Sequence, residues 1–284
     1  MTEAPAPTTR RERAQQERAQ SALDAPGRGA GRTGGGVAVA AVGVVGELLI
    51  TAGVLLGLIV VWQLWWTDVV AGREQAEIVD DLGWARQPAA TPSPTPTPSA
   101  EPTAGPRRDE PAPVLPEPAE GTTFATLSVP RWGADYVRPI SQGTSRSRVL
   151  DPLGIGHYEG TAMPGAIGNF AVAGHRVTYN KPFNRIEEVM VGDALVVQTE
   201  STWYVYRATG AEVVAPSDVD VVAPVPGLPG ETPTEAVMTL TTCHPMYSAR
   251  ERFVLHAALD YWMPVADGVP VELTDPVAGL AGGA

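Results

Sequence analysis

The chain is 284 residues long and 44% hydrophobic, with a formal net charge of −12 and a single cysteine. An acidic balance of this size excludes nucleic acid as the natural partner, because a phosphate backbone calls for a basic face. One cysteine excludes a disulfide framework within the chain.

In chain order, a basic tail (residues 1–36) comes first and is expected to be disordered and cytoplasmic. Val37 to Trp66 then runs thirty residues with almost no polar interruption. At ~1.5 Å rise per residue, about twenty such residues cross a hydrocarbon core of ~30 Å, so 37–66 reads as a transmembrane helix. Trp62, Trp65 and Trp66 cluster at one end of it, where indoles favour the membrane interface. Six arginines (Arg10, Arg11, Arg13, Arg18, Arg28 and Arg32) precede the run, against Arg73 and Arg86 soon after it. The positive-inside rule then places the N-terminus in the cytoplasm and the bulk of the chain outside, on an uncleaved anchor in the cell membrane. Glu47 is the one acidic residue within the run. Its carboxylate costs ~2.5–3.5 kcal/mol near a helix centre, which either a contact with another membrane component offsets or so long an apolar run absorbs.

Residues 67–86 are acidic and helix-compatible, and read as a juxtamembrane helix. Residues 87–120 hold eleven of the 28 prolines, including Thr91-Pro92-Ser93-Pro94-Thr95-Pro96-Thr97-Pro98. Such a segment favours polyproline II at ~3.1 Å per residue and reads as an extracellular stalk with a reach on the order of 100 Å. Residues 121–275 are enough for one domain with its own core, and 276–284 read as a flexible tail with no second span.

The domain pattern is β. Ala125, Leu127 and Val129 alternate with polar residues, and 193–198 with 202–207 reads as a hairpin. Residues 170–173, 237–242 and 253–259 add three more strands, and only 182–190 looks helical. Short strands at this density imply an all-β sandwich or closed barrel.

Cys243 ends the apolar run Ala236-Val237-Met238-Thr239-Leu240-Thr241-Thr242-Cys243, and is either an inert buried hydrophobe or a nucleophile. Among the four histidines, His244 is adjacent to it on a strand and faces the other way. His157 and His256 read as structural. His175 ends the buried run Asn169-Phe170-Ala171-Val172-Ala173-Gly174 and stands at the rim of the fold. Arg252 lies nine residues after Cys243, a hairpin spacing that brings a guanidinium beside the thiol, where it can donate to a carbonyl or an oxyanion. The histidines are scattered and no acidic cluster has ligand spacing, so neither metal nor cofactor is expected.

These residues resemble the sortases, the cysteine transpeptidases of Gram-positive surfaces. The likeness rests on Thr239-Leu-Thr-Thr-Cys243, with a proline soon after and Arg252 nine residues on, and on Asn169-Phe-Ala-Val-Ala-Gly-His-Arg176. Phe124-Ala-Thr-Leu-Ser-Val-Pro130 and Gly156-His-Tyr-Glu-Gly-Thr-Ala-Met-Pro164 extend it, in the family order and over most of the domain. The anchor, the proline-rich stalk and the tryptophans before Thr67-Asp68 are most similar to the class E branch of actinobacteria.

The resemblance implies an eight-stranded β-barrel with short helices. It implies Cys243 as nucleophile, His175 as acid/base, Arg252 as the oxyanion and substrate-backbone group, and Thr242 as a substrate contact. The reaction implied is cleavage of a C-terminal sorting signal, Leu-Ala-x-Thr-Gly in preference to Leu-Pro-x-Thr-Gly, between Thr and Gly through a thioester. The protein is then transferred to an amine of a lipid-linked peptidoglycan precursor. The loop 217–234 occupies the place of the family loop that shapes signal specificity. L,D-transpeptidases differ in the residues before the cysteine, and papain-like amidases in the order of Cys and His. A pilus-polymerising sortase would carry an Asp-Pro-aromatic lid, whereas Asp151-Pro152-Leu153 lies inside the domain and lacks the aromatic. The remaining alternative is a wall-spanning binding module without catalysis, its thiol incidental.

Overall fold

The computed structural model describes residues 33–85, 105–275 and 277–281, together with five residues of the N-terminal region. Most of the expected cytoplasmic tail, Arg86 at the end of the expected juxtamembrane helix, residues 87–104 of the expected stalk, and residues 276 and 282–284 of the expected C-terminal tail lie outside the described residues.

Helix α1 spans Thr33–Asp81. Among the described residues it is the one helix long and apolar enough to cross a membrane. Its apolar side chains from Val39 to Val61 are exposed, as a lipid-facing surface requires. Thr67 and Asp68 continue α1, so most of the residues expected as a juxtamembrane helix belong to the same element.

The last turns of α1 pack on the β domain. Ala71, Gln75 and Val79 recur every fourth residue and are buried along one stripe. Gln75 donates to the Tyr179 carbonyl at 3.3 Å and accepts from Asn180 Nδ2 at 3.0 Å. Asp68 accepts from the Asn180 amide at 3.2 Å and from Lys181 Nζ at 2.8 Å.

The domain is a closed barrel of eight strands in the order β1-β2-β3-β4-β7-β8-β6-β5. They are β1 Thr123–Ser128, β2 Val137–Gln142, β3 Ile155–His157, β4 Gly168–Gly174, β5 Ala194–Gln198, β6 Thr202–Val214, β7 Ala236–His244 and β8 Glu251–Pro264. The β2–β3 and β4–β7 pairs are parallel and the other six antiparallel. Alternation sorts the side chains: Leu195, Val197, Tyr204 and Tyr206 point inward, to a core with Leu127, Ile140, Phe170, Met238 and Leu240. Each buried aliphatic or Phe side chain there contributes about 1.5–3 kcal/mol. Ala194, Val196, Trp203, Val205, Tyr261 and Met263 form a second cluster on the opposite face, covered by Val265 and Leu273. That cover accounts for the burial of β5 on both faces.

Two strands escape the sequence pattern and one expected helix shortens. β2 carries Pro139, which lacks a ladder donor and masks the strand in the sequence. Strand β3, with His157 at its end, has only three residues and is too short to show a period. The helix expected over 182–190 reduces to a single 3-10 turn, Ile186–Glu188, because Phe183 and Ile186 are drawn into the core.

The described part of the proline-rich segment, 105–120, lies on the barrel. Arg107 pairs with Trp262 through both backbone bonds, at 2.9 and 3.1 Å. The carbonyls of Glu110 and Pro113 accept from Trp262 Nε1 at 2.9 Å and Tyr204 Oη at 2.6 Å. A polyproline-like strand satisfies none of its own carbonyls, so they are available to side chains of the barrel.

Residues 277–281 are fixed as well. Gly279 O accepts from the Ala194 amide at 2.9 Å, and the Ala281 amide donates to Asp193 at 2.7 Å. Asp193 is fully buried and takes two bonds of 2.7 Å from Arg131 and one of 2.8 Å from the Met190 amide. Burial pushes its carboxyl up, but Arg131 and the two amides outweigh burial and hold it below the ordinary carboxylate value. A carboxyl lowered on folding stabilises the fold above its unfolded value of about 3.9, and that contribution is lost as pH falls through the folded value. Thermal melts across the acid range are therefore expected to fall steeply below about pH 4. In Asp193→Asn the melting temperature is lower at neutral pH and that limb is shallower. An unchanged limb in the variant would assign the acid sensitivity elsewhere.

Candidate active site

Three adjacent strands build the site. Parallel pairing of β4 with β7 puts Ala173 opposite Thr241. One residue further on, Thr242 Oγ1 donates to the Gly174 carbonyl at 2.7 Å. His175, the next residue of the chain, thus leaves β4 beside the end of β7. On the other side of β7, Cys243 and Arg252 are direct partners in the antiparallel ladder with β8. Such opposed residues stand ~4.5–5.5 Å apart, which places the guanidinium next to the thiol.

His175, Thr242, Cys243 and Arg252 all line one cavity of about 720 Å³. Its walls come from the segment 144–150, the residues after β4, and the β7–β8 connection with Tyr247 at the mouth. Tyr247 is 82% exposed and holds a left-handed φ of 66°. None of residues 217–234 is in the lining. That segment is instead anchored from the barrel by Asn169, whose amide donates to the carbonyls of Val221 and Ala223 at 3.2 and 3.0 Å.

Cys243 is half-buried and free. Arg252 uses Nη1 for the carbonyls of Ala249 at 3.0 Å and Glu251 at 2.9 Å. Its other donors make no protein hydrogen bond among the described residues. His175 Nε2 lies 2.7 Å from Asp151 Oδ1, and the Tyr179 ring stands 5.2 Å from the imidazole. Thr242 is buried, and its hydroxyl serves the β4–β7 junction.

The other histidines are used elsewhere. His157 is buried between Gln142 Oε1 at 2.7 Å and the Ala162 carbonyl at 3.1 Å. Burial pushes its ring below the ordinary histidine value, and the Ala162 bond opposes this in part. His256 bonds Thr239 Oγ1 at 2.9 Å and Glu212 at 3.2 Å. His244 turns away from the cavity toward Glu187, at 3.2 Å.

Sequence reasoning gave no role to Arg176 or Asp151. Arg176 is 2% exposed, pairs with Glu187 at 2.9 Å and donates to the Cys243 carbonyl at 3.4 Å. It holds the backbone of the cysteine from below. Its only signal was its place beside His175. Among the described residues, no group of three or more His, Cys, Asp or Glu side chains could hold a metal ion.

The family model described as Sortase domain matches residues 127–260. Sortase SrtE2 of Streptomyces coelicolor is 34% identical over 242 residues, covering 82% of this chain and 87% of the relative. Sortase SrtE1 of the same organism is 37% identical over 246 residues, which is 84% of this chain but only 62% of that longer relative. The solved structure of SrtA sortase from Actinomyces oris aligns with a TM-score of 0.55 at 41% identity, over 58% of this chain and 94% of the other. A closed eight-stranded barrel with its cysteine at the end of β7 is thus that of a cysteine transpeptidase, and this chain belongs to the sortase family. Within it, the two Streptomyces relatives are sortases of the E type.

Proposed function

We propose that the chain is a membrane-anchored sortase, with α1 as its single span, the N-terminus cytoplasmic and the barrel outside. It cleaves a C-terminal sorting signal of the Leu-Ala-x-Thr-Gly or Leu-Pro-x-Thr-Gly type between Thr and Gly, and transfers the protein to an amine of a lipid-linked peptidoglycan precursor. The observation that carries this reading is the convergence of His175, Cys243 and Arg252, from three adjacent strands, on one cavity.

In this mechanism the Cys243 thiolate attacks the Thr carbonyl and forms a thioester. Arg252 donates to the developing oxyanion from the donors it does not spend on the Ala249 and Glu251 carbonyls. His175 protonates the leaving amine, and the acceptor amine then resolves the thioester. Thr242 contacts the signal through its backbone and methyl, since its hydroxyl is committed to Gly174.

The test is a peptide assay on the full chain in detergent micelles, with each signal peptide and an amine acceptor. Expected is release of the glycine-led fragment and coupling of the Thr acyl group to the amine, faster with the Ala-containing signal. Absence of a released fragment from every such peptide would overturn the reading.

A further inference from the structure

We infer that Asp151 is a positioning residue of the transpeptidation proposed above, one that holds His175 in the tautomer with its proton on Nε2 and leaves Nδ1 to exchange protons. The inference rests on that functional reading but starts from an independent contact. Asp151 opens the helical turn Asp151–Leu153, where Pro152 fixes the backbone and Gly154, at φ 94°, ends it. Its Oδ1 lies 2.7 Å from His175 Nε2, with both side chains largely shielded, at 21% and 17% exposure.

An ionised carboxylate only accepts hydrogen bonds. A nitrogen at that distance must therefore be the donor, whether the ring is neutral or charged. Nδ1 makes no hydrogen bond among the described residues and is not sealed from solvent. The nearest rival for the carboxylate is Arg146 Nε at 3.5 Å, on a side chain 74% exposed. Such an exposed pair is screened by solvent and does not compete with the shorter, shielded contact.

The holding groups are themselves supported. Asp151 and Tyr179 line a second cavity of about 300 Å³, whose other wall is α1 through Trp66, Val70 and Ala71. Asp151 is not in the lining of the catalytic cavity and acts through the imidazole.

The proton path follows. The thiolate of Cys243 forms a C–S bond to the Thr carbonyl carbon, and the π pair moves onto oxygen. When the carbonyl reforms, the C–N bond breaks and the leaving nitrogen takes the Nδ1 proton of the imidazolium. The ring is left neutral, with its Nε2 proton still bonded to Asp151. The acceptor amine then attacks the thioester and passes its surplus proton to Nδ1, and the C–S bond breaks to return the thiolate.

Asp151→Asn and Asp151→Ala in the full chain, with the Leu-Ala-x-Thr-Gly peptide and an amine acceptor, test this. An amide can donate as well as accept, so it no longer dictates the tautomer. Expected is a fall in kcat of roughly 10- to 100-fold, part of the 10²–10⁴ that acid–base catalysis supplies, with KM within about 2-fold. A kcat unchanged in both variants, or a loss confined to KM, overturns the inference. Independently, ¹⁵N spectra of the histidine-labelled wild type, assigned with His175→Gln, are read at a pH where the ring is neutral. They are expected to show a protonated Nε2 and an unprotonated Nδ1, and the reverse overturns the inference even if the variants fail to fold. If the wild type transfers no peptide, the functional reading fails while the spectra still decide the tautomer.

Discussion

Cys243→Ala is expected to lower transfer of a sorting-signal peptide by on the order of 10⁴-fold or more while leaving the melting temperature unchanged. The two halves of this expectation have different physical sources. The loss follows because no other thiol exists in the chain to form the acyl intermediate. The retained stability follows from what the residue gives the fold. The contact from Arg176 goes to the Cys243 carbonyl, which alanine keeps, and the side chain is only half-buried. Cys243→Ser keeps even the size, and should be almost as inactive because its hydroxyl does not ionise as a thiol does. Mass spectrometry of the wild type with peptide but without amine should show the acyl adduct, absent from both variants. Transfer by Cys243→Ala at a rate near the wild type would refute the nucleophile assignment.

Gly156→Ala is expected to destabilise the fold by about 3 kcal/mol, the upper end of overpacking costs, and to lower the melting temperature by roughly 6–12 °C. Gly156 sits between Ser141 of β2 and Ala173 of β4. A Cβ there would lie 2.3 Å from the Gly143 carbonyl oxygen and 2.9 Å from the Leu150 side chain. The oxygen belongs to the backbone and cannot rotate away, and Gly143 is tied to β3 by its own amide, which donates to the His157 carbonyl at 2.9 Å. Relief requires moving the segment that supplies Thr144, Arg146 and Leu150 to the cavity wall. Activity should therefore fall along with stability. A melting temperature within about 2 °C of the wild type would show that the segment yields freely.

The sequence carried the strands whose apolar alternation was long enough to count, and with them the ends that bear Cys243, His175 and Arg252. Each of those residues closes or opens a buried run, so its place at a barrel rim was legible. The Asp151 contact was not, because a helical turn brings it to His175 from 24 positions earlier in the chain, and no local pattern records that. Arg176 was hidden for a different reason. Its charge argues for exposure, and the Glu187 partner, the Cys243 carbonyl, His244 and the Phe253 ring together make its burial tolerable. Residues 105–120 read as linker by composition, since proline content measures what a segment cannot do for itself and says nothing of what a neighbouring barrel can do for its carbonyls.

The seating of α1 on the barrel bears on where the chemistry takes place. Asp68 and Gln75 grip Asn180 and Lys181, a few residues past His175, and the Trp84 carbonyl accepts from Gln198 at 2.8 Å. Asp68 follows the tryptophan cluster by two residues. Those contacts hold residues 68–84 against the barrel, at Asn180 and Lys181 within a few residues of His175. Residues 105–113 dock on the same barrel through Arg107, Glu110 and Pro113, so the proline-rich stretch is flanked on both sides by segments that the barrel already holds, and its contour length does not set how far either flank stands from the site.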